Sequence, residues 1–395
     1  MAMAAIELNH LIEDGFAQRN SIFEAFFARE ATTLATACRE MSERLLRGGR
    51  LLAMGKGPYA TDAQHVSVEF VHPVIVGKRA LPALDLSLLF SPWLRALLEP
   101  DDIVMGFGPP EGDLEIEAAL KDAAGCGAMT FALPGRVGSY ALHPPASHPF
   151  VHQELIEILY HTLWETVHVF FEHRALGQDV GDAGFLYPFL GQQEQETIGV
   201  LEQVAESINI KVREDSKLRT QVAELQAEAI ASAVRAIADR VRRGGKLILF
   251  GNGGSATDAN DWAIDCVAPP PGYSPIPAVS LSSEPANITA LANDVGTEVI
   301  FLRQLIAQAR QNDIAIGIST SGGSKNVILA FEEARKRGLL TVGLLGYDGG
   351  EIVRRGIVDH PLIVHSDYIP RIQEVQASTY HMIRELLERT VYAPY

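Results

Sequence analysis

Lys246-Leu247-Ile248-Leu249-Phe250 runs without a polar interruption into Gly251-Asn252-Gly253-Gly254-Ser255, residues 246–255 of a 395-residue chain. An apolar run that does not alternate predicts a strand buried on both faces of a parallel sheet. The glycines permit a tight turn, and the free N–H groups that open the next helix, with the Ser255 hydroxyl, suit an anion. Read without a ligand, the same residues make an ordinary strand-to-helix turn.

The segment has an earlier twin. Leu46-Arg47-Gly48-Gly49-Arg50-Leu51-Leu52-Ala53-Met54-Gly55 aligns with Arg242-Arg243-Gly244-Gly245-Lys246-Leu247-Ile248-Leu249-Phe250-Gly251 at an offset of 196 residues. Ala60-Thr61-Asp62-Ala63-Gln64-His65 then falls on Ala256-Thr257-Asp258-Ala259-Asn260-Asp261. Near the end of each half His152-Gln153-Glu154 and Ile372-Gln373-Glu374 open long helices, now at an offset of 220. Duplication is the simplest account, with 24 extra residues in the second copy, placed within Glu284 to Gln311. The expected organisation is an N-terminal copy over 1–176, a glycine-bearing linker over 177–192 and a C-terminal copy over 193–395.

Each copy alternates short apolar runs with helical patterns after a helical lead-in, the signature of an α/β fold with a parallel sheet covered on both faces. The second copy's strands are expected at 246–250, 276–281, 314–318, 340–345 and 362–364, and the first copy's at 50–54, 83–86, 103–106 and 128–133. Residues 193–243 read as helix.

Composition narrows the function. A formal net charge of −16 disfavours a general electrostatic grip on nucleic acid or anionic lipid. No apolar stretch of membrane-spanning length and no secretory leader pattern occur, so a cytoplasmic protein is expected. The three cysteines, Cys38, Cys126 and Cys266, lie far apart and read as buried small residues in a reducing compartment.

A second loop strengthens the anion reading. Ile318 runs into Ser319-Thr320-Ser321-Gly322-Gly323-Ser324-Lys325-Asn326 before another helix. In an open parallel sheet both loops lie at the carboxyl edge, where together they form a cup of donors for one phosphate.

These two loops, with Gly346-Tyr347-Asp348-Gly349-Gly350 and Arg371-Ile372-Gln373-Glu374, resemble the sugar isomerase (SIS) domain of phosphoheptose isomerases over nearly all of residues 193–389. The resemblance implies two SIS domains, each a flavodoxin-like parallel sheet flanked by helices. It implies a phosphorylated sugar as ligand, held by Asn252, Gly253, Gly254, Ser255, Asp294, Ser319, Thr320, Ser321, Ser324 and Gln373. It also implies zinc, and an assembly of four SIS domains, which a tandem chain reaches as a homodimer.

In that family a His and a Glu one turn apart on the helix after the first loop, and a Gln and a His on the last helix, are linked with zinc and proton transfer. The first copy fills all four positions, with His65, Glu69, Gln153 and His161. The second has Asp261 and Asp265 in place of the first pair but retains Gln373 and His381. The first copy's loops are degenerate: Gly55-Lys56-Gly57-Pro58-Tyr59 and Gly106-Phe107-Gly108-Pro109-Pro110-Glu111-Gly112-Asp113 lose N–H donors to proline and gain an acid. One copy thus keeps the acid–base set and the other the phosphate grip, and the expectation is one composite site. Glu69 is its base, His161 or His381 its acid, and zinc is held by His65, Glu69, Gln153 and His161 or by Asp261, Asp265, Gln373 and His381. The rival is a non-catalytic sugar-phosphate sensor or scaffold; read without chemistry, His65 and Glu69 are relics or a helix-face pair, and Asp261 and Asp265 are solvated or capping aspartates.

Overall fold

The computed structural model describes residues 5–73, 78–133, 138–143, 145–176 and 197–392. The expected linker, 177–192, lies outside them. In chain order the N-terminal repeat comprises α1 (Ala5–Leu46), β1 (Leu51–Gly55), α2 (Tyr59–Val71), β2 (Ala83–Asp85), α3 (Phe90–Leu97), β3 (Ile103–Phe107), α4 (Leu114–Gly125), β4 (Met129–Leu133), β5 (Tyr140–Ala141) and α5 (Pro149–Leu176). The second comprises α6 (Thr197–Arg242), β6 (Leu247–Gly251), α7 (Gly254–Val267), β7 (Ala278–Ser280), α8 (Pro285–Asp294), α9 (Ile300–Gln308), β8 (Ile314–Ser319), α10 (Lys325–Lys336), β9 (Leu340–Gly346), α11 (Gly350–Arg354), β10 (His360–Val364) and α12 (Ile369–Val391).

Both sheets are parallel, in the orders β2-β1-β3-β4-β5 and β10-β9-β8-β6-β7. Renumbered within each repeat, both are the flavodoxin-like order, with the switch point between the first and third strands. Strands β1, β3, β4, β6, β8 and β9 are buried along their whole length, as unalternating apolar runs require. Each sheet is packed on both faces, for example by Phe331 and Phe301 on one side of the second sheet and Trp262 and Tyr380 on the other. The extra segment of the second copy forms α8, a short 3-10 turn and α9, where the first copy has only α3.

Two compact units occur, and their limits differ from the repeat's. Met1–Arg19 belong with Lys217–Tyr395, and Asn20–Ser216 form the other. The C-terminal sheet's core therefore includes Leu8, Ile12 and Phe16 from the start of α1. The N-terminal sheet's core includes Val204, Ala205, Ile208 and Val212 from the start of α6. Each of these helix starts brings a buried cation to the last helix of its unit. Arg19 meets Glu385 at 2.5 Å, and Lys211 meets Glu165 at 2.5 Å. Glu165 and Glu385 are equivalent positions of the repeat, at the offset that relates Gln153 to Gln373.

Cys38 and Cys266 are buried, as expected, but Cys126 is exposed. It caps the end of α4 in a surface turn, where its N–H donates to the Asp122 and Ala123 carbonyls and the residue lies outside the core.

A second repeat signature is a buried aspartate before each third strand. Asp102 accepts the backbone N–H groups of Arg50 and Glu99, each at 2.9 Å, and Arg50 Nη2 at 2.8 Å. Asp313 accepts those of Lys246 at 3.0 Å and Arg310 at 2.8 Å, and Lys246 Nζ at 2.5 Å. Alanine at Asp313 strands two N–H groups and is expected to cost about 3 kcal/mol. Urea unfolding of the variant, compared with wild type, measures that loss.

Candidate active site

At the end of β6 the chain turns through Gly253, whose φ of 56° and ψ of −127° only glycine adopts without strain. Gly254 then begins α7, so that Ser255 and the first N–H groups of the helix are presented at the carboxyl edge. Ser282 fixes the turn from β7, its Oγ donating to the Gly251 carbonyl at 3.0 Å. Because β6 and β8 are adjacent, the loop 319–324 lies beside it, at the switch point. That loop folds on its own hydroxyls: the Gly322 N–H donates to Ser319 Oγ at 3.2 Å, and the Gly323 N–H to Ser321 Oγ at 3.2 Å. Ser324 is the N-cap residue of α10. The loops are bridged by two carboxamides, with Asn252 Nδ2 donating to Asn326 Oδ1 at 2.9 Å and Asn326 Nδ2 to Asn252 Oδ1 at 3.0 Å.

The third motif closes on the second. Gly322 has a φ of 59°, and a Cβ there would overlap the Gly349 carbonyl; one on Gly350 would overlap the Ser321 carbonyl. Tyr347 is the non-glycine residue with positive φ, 51°, among those described. Its carbonyl is held by His365 Nδ1 at 3.0 Å and its N–H by the Ser366 carbonyl at 3.2 Å, so a strained conformation persists beside the loops. The Arg371-Ile372-Gln373-Glu374 motif opens α12 with a buried ion pair, Arg371 to Glu374 at 2.5 Å, and places Gln373 in the interior.

Further along α7, Asp261 and Asp265 face His381 of α12. His381 Nε2 lies 3.4 Å from Asp261 Oδ2 and 3.2 Å from Asp265 Oδ2, and Tyr380 Oη donates to Asp261 at 2.8 Å. These aspartates are buried, not solvated. Burial, reinforced by Asp261, pushes the Asp265 carboxyl up to about 7. Asp294 is exposed at the end of α8, accepting from Asn293 at 2.7 Å. No hydrogen bond among the described residues ties it to the two loops.

In the N-terminal unit His65 and Glu69 of α2 meet His161 of α5. Their ligand atoms lie within 4.8 Å of one another and all three residues are buried. His65 Nε2 is 3.8 Å from Glu69, and its ring centroid is 5.1 Å from that of His161. Neither Glu69 oxygen accepts a hydrogen bond among the described residues. Burial pushes this carboxyl up to about 7, and burial with His161 holds the His65 imidazole well below its usual value. A buried carboxylate without donors, facing two imidazoles, is a donor set suited to a divalent cation such as zinc. Gln153 is buried on α5 two turns before His161, about 12 Å of helix rise away.

The first copy's loops hold charges of their own. Asp113, the N-cap of α4, accepts the N–H groups of Glu115 at 2.8 Å and Ile116 at 3.1 Å. Lys56 spans the loops to Asp113 at 3.2 Å and Glu115 at 2.9 Å. Partial burial works against the charged Asp113, yet the Ile116 N–H and Lys56 hold its pKa below the usual range. The helix start that binds an anion in such folds is here supplied with a carboxylate of the chain itself.

The sequence pattern alone assigns no role to the side chains of Ser282, Tyr380 and Asn326. Ser282 has a signal in the repeat, since Ser87 occupies the equivalent position after β2 and accepts the Gly55 N–H at 3.0 Å.

Comparison with known proteins agrees with the geometry. The SIS-domain family model matches residues 212–346. A phosphoheptose isomerase of a Geobacter species is 41% identical over 188 residues, covering 47% of this chain and 97% of that protein. One from a Roseiflexus species is 40% identical over 194 residues, covering 49% and 93%. Among solved structures, the C-terminal domain of glucosamine-fructose-6-phosphate aminotransferase from Francisella tularensis has the same fold over 93% of this chain and 94% of its own, with a TM-score of 0.60 at 8% identity. Two parallel five-stranded sheets consistent with two SIS domains, and 41% identity to a phosphoheptose isomerase covered over 97% of its length, place this chain in the SIS-domain family, as a relative of the phosphoheptose isomerases.

Proposed function

We propose that the chain is a sugar-phosphate aldose–ketose isomerase acting on sedoheptulose 7-phosphate or a close relative, built of two copies over 1–176 and 193–395. The observation that carries the reading is the C-terminal cup, in which two strand-end loops at the switch point are joined into one set of anion donors. Asn252, Gly253, Gly254, Ser255, Ser319, Thr320, Ser321 and Ser324 are assigned to the phosphate end, with Asp294 and Gln373 to the sugar. Because the N-terminal loops are occupied by Lys56 and Asp113, one phosphate is bound per chain.

Aldose–ketose exchange moves one proton between the carbonyl carbon and its hydroxyl-bearing neighbour through an enediol. Glu69, whose carboxyl sits near neutrality, is assigned as the base that takes the proton and returns it to the adjacent carbon. His161 or His381 passes the hydroxyl proton. His65, Glu69 and His161 would hold zinc, with Gln153 as the further ligand; the Asp261, Asp265 and His381 cluster, with Gln373, is the alternative. When bound, such an ion polarises the substrate carbonyl. The sequence divides phosphate grip and acid–base set between the copies, and we assign both sets to one reaction.

No described helix is long and apolar enough to cross a membrane. A cytoplasmic homodimer, with four SIS copies, completes the proposal.

Purified protein followed by NMR for aldose–ketose exchange tests it. Turnover of sedoheptulose 7-phosphate is expected, falling at least about 100-fold after chelation and returning with zinc. Tight phosphosugar binding without turnover in any metal state would instead establish the sensor reading, which the replacement of His and Glu by Asp261 and Asp265 beside an intact cup favours.

A further inference from the structure

The carboxamide bridge between Asn252 and Asn326 has a counterpart that identifies it as more than a surface contact. Asn252 follows the glycine that ends β6, as Lys56 follows the glycine that ends β1. Asn326 lies twelve residues beyond the first residue of β8, and Glu115 twelve beyond the first residue of β3. The same two positions are therefore bridged in both repeats, by two amides at 2.9 and 3.0 Å in one and by Lys56 and Glu115 at 2.9 Å in the other. The N-cap positions match as well, Ser324 with Asp113. Where the cap is a carboxylate the bridge is ionic, and where the cap is a hydroxyl the bridge is neutral.

From this we infer that Asn326 is a positioning residue of the phosphate cup, fixing the first loop against the second through Asn252. The inference rests on the phosphate reading of the cup given above. In a reciprocal amide pair each carboxamide spends its oxygen and one N–H, so both planes are fixed and Asn252 keeps one N–H for an anion. Asn326 is anchored for this task, because its Oδ1 also accepts the Val327 N–H of α10 at 2.9 Å. The pair is exposed, where hydrogen bonds exchange with water and add little to stability. What it does is hold the Gly253–Gly254 turn at a set distance from Ser319–Ser324, so that the donors of both loops address one anion with little reorganisation on binding. A charged bridge at this place would compete with the phosphate for those donors, and the N-terminal copy shows that outcome, with Lys56 on Asp113.

The test is calorimetric titration of the full chain with inorganic phosphate and with sedoheptulose 7-phosphate, using wild type, Asn326→Ser, Asn252→Ala, their double variant and Ser321→Ala. Asn326→Ser is expected to weaken both probes about 5- to 10-fold, the loss of one organised hydrogen bond, with the melting temperature nearly unchanged. The double variant is expected to bind no more than about twofold more weakly than Asn252→Ala, since both act through one contact. Unchanged affinity in Asn326→Ser while Ser321→Ala loses binding overturns the positioning role and leaves the cup standing. Additive losses in the double variant also overturn it. Wild-type protein that binds neither probe overturns the cup and the inference together.

Discussion

Gly322→Ala is expected to abolish measurable binding of inorganic phosphate and of sugar phosphate, while the protein still folds. At a φ of 59° an alanine costs about 1–2 kcal/mol in backbone strain alone. The steric cost is larger. The added methyl would overlap the Gly349 carbonyl, a backbone atom that cannot rotate away, so the second loop must separate from the third. Gly350 sits against the Ser321 carbonyl and the Ile352 N–H donates to the Gly322 carbonyl at 3.0 Å, so that movement displaces the Ser321 and Ser319 hydroxyls, which accept the N–H groups of 323 and 322, together. Donors to a charged oxygen contribute about 1.5–3 kcal/mol each, and misplacing two of them weakens binding by at least about 100-fold. Thermal denaturation should show a drop of several degrees rather than loss of the transition, since both faces of the sheet remain packed. Phosphate affinity within about threefold of wild type would remove this loop from the site.

The strand positions were legible because parallel strands advertise themselves as unbroken apolar runs, whereas the flavodoxin-like sheet came from the family resemblance. Leu247–Gly251 is shifted by one residue at both ends from the expected limits, and Ile314–Ser319 extends one residue beyond them. Tyr140–Ala141 was not legible: a two-residue edge strand, only half-buried, carries no periodicity to read. The two glycine-serine loops could be picked out from their hydroxyls and glycines, which are chemically expressive. The bridge between Asn252 and Asn326 could not, since a neutral surface asparagine has the same appearance whether it pairs with water or with a residue 74 positions away. The limits of the compact units were hidden for a related reason. α1 and α6 are continuous amphipathic helices, and nothing in a helical pattern says that Phe16 and Phe23 serve different sheets. The cluster of His65, Glu69 and His161 lay between these extremes. All three members came from the resemblance, and one turn of helix adds only that His65 and Glu69 share a face.

Glu69→Gln is expected to lower the rate of aldose–ketose exchange by about 10²- to 10⁴-fold, the range associated with loss of a positioned general base. Affinity for inorganic phosphate should be unaffected, because Glu69 belongs to the acid–base set and not to the loops. The substitution is nearly isosteric at a fully buried position, so stability should change little or rise, since a carboxyl without hydrogen-bond donors is costly to bury. Asp265→Asn is the discriminating partner. Asp265 is paired with His381 at 3.2 Å and shares it with Asp261, so its replacement alters a hydrogen-bonded cluster whose imidazole already has carboxylate partners. If catalysis draws its base from the N-terminal copy, Asp265→Asn retains a rate within about tenfold of wild type while Glu69→Gln does not. If the C-terminal copy works alone, the order reverses: Asp265→Asn loses turnover and Glu69→Gln keeps it. That reversal would show that the retained His and Glu are structural, and that a carboxylate one methylene shorter than the family's has been adapted as the base. Measuring both variants on one sugar phosphate, with phosphate affinity as the control for an intact cup, therefore decides which copy supplies the chemistry.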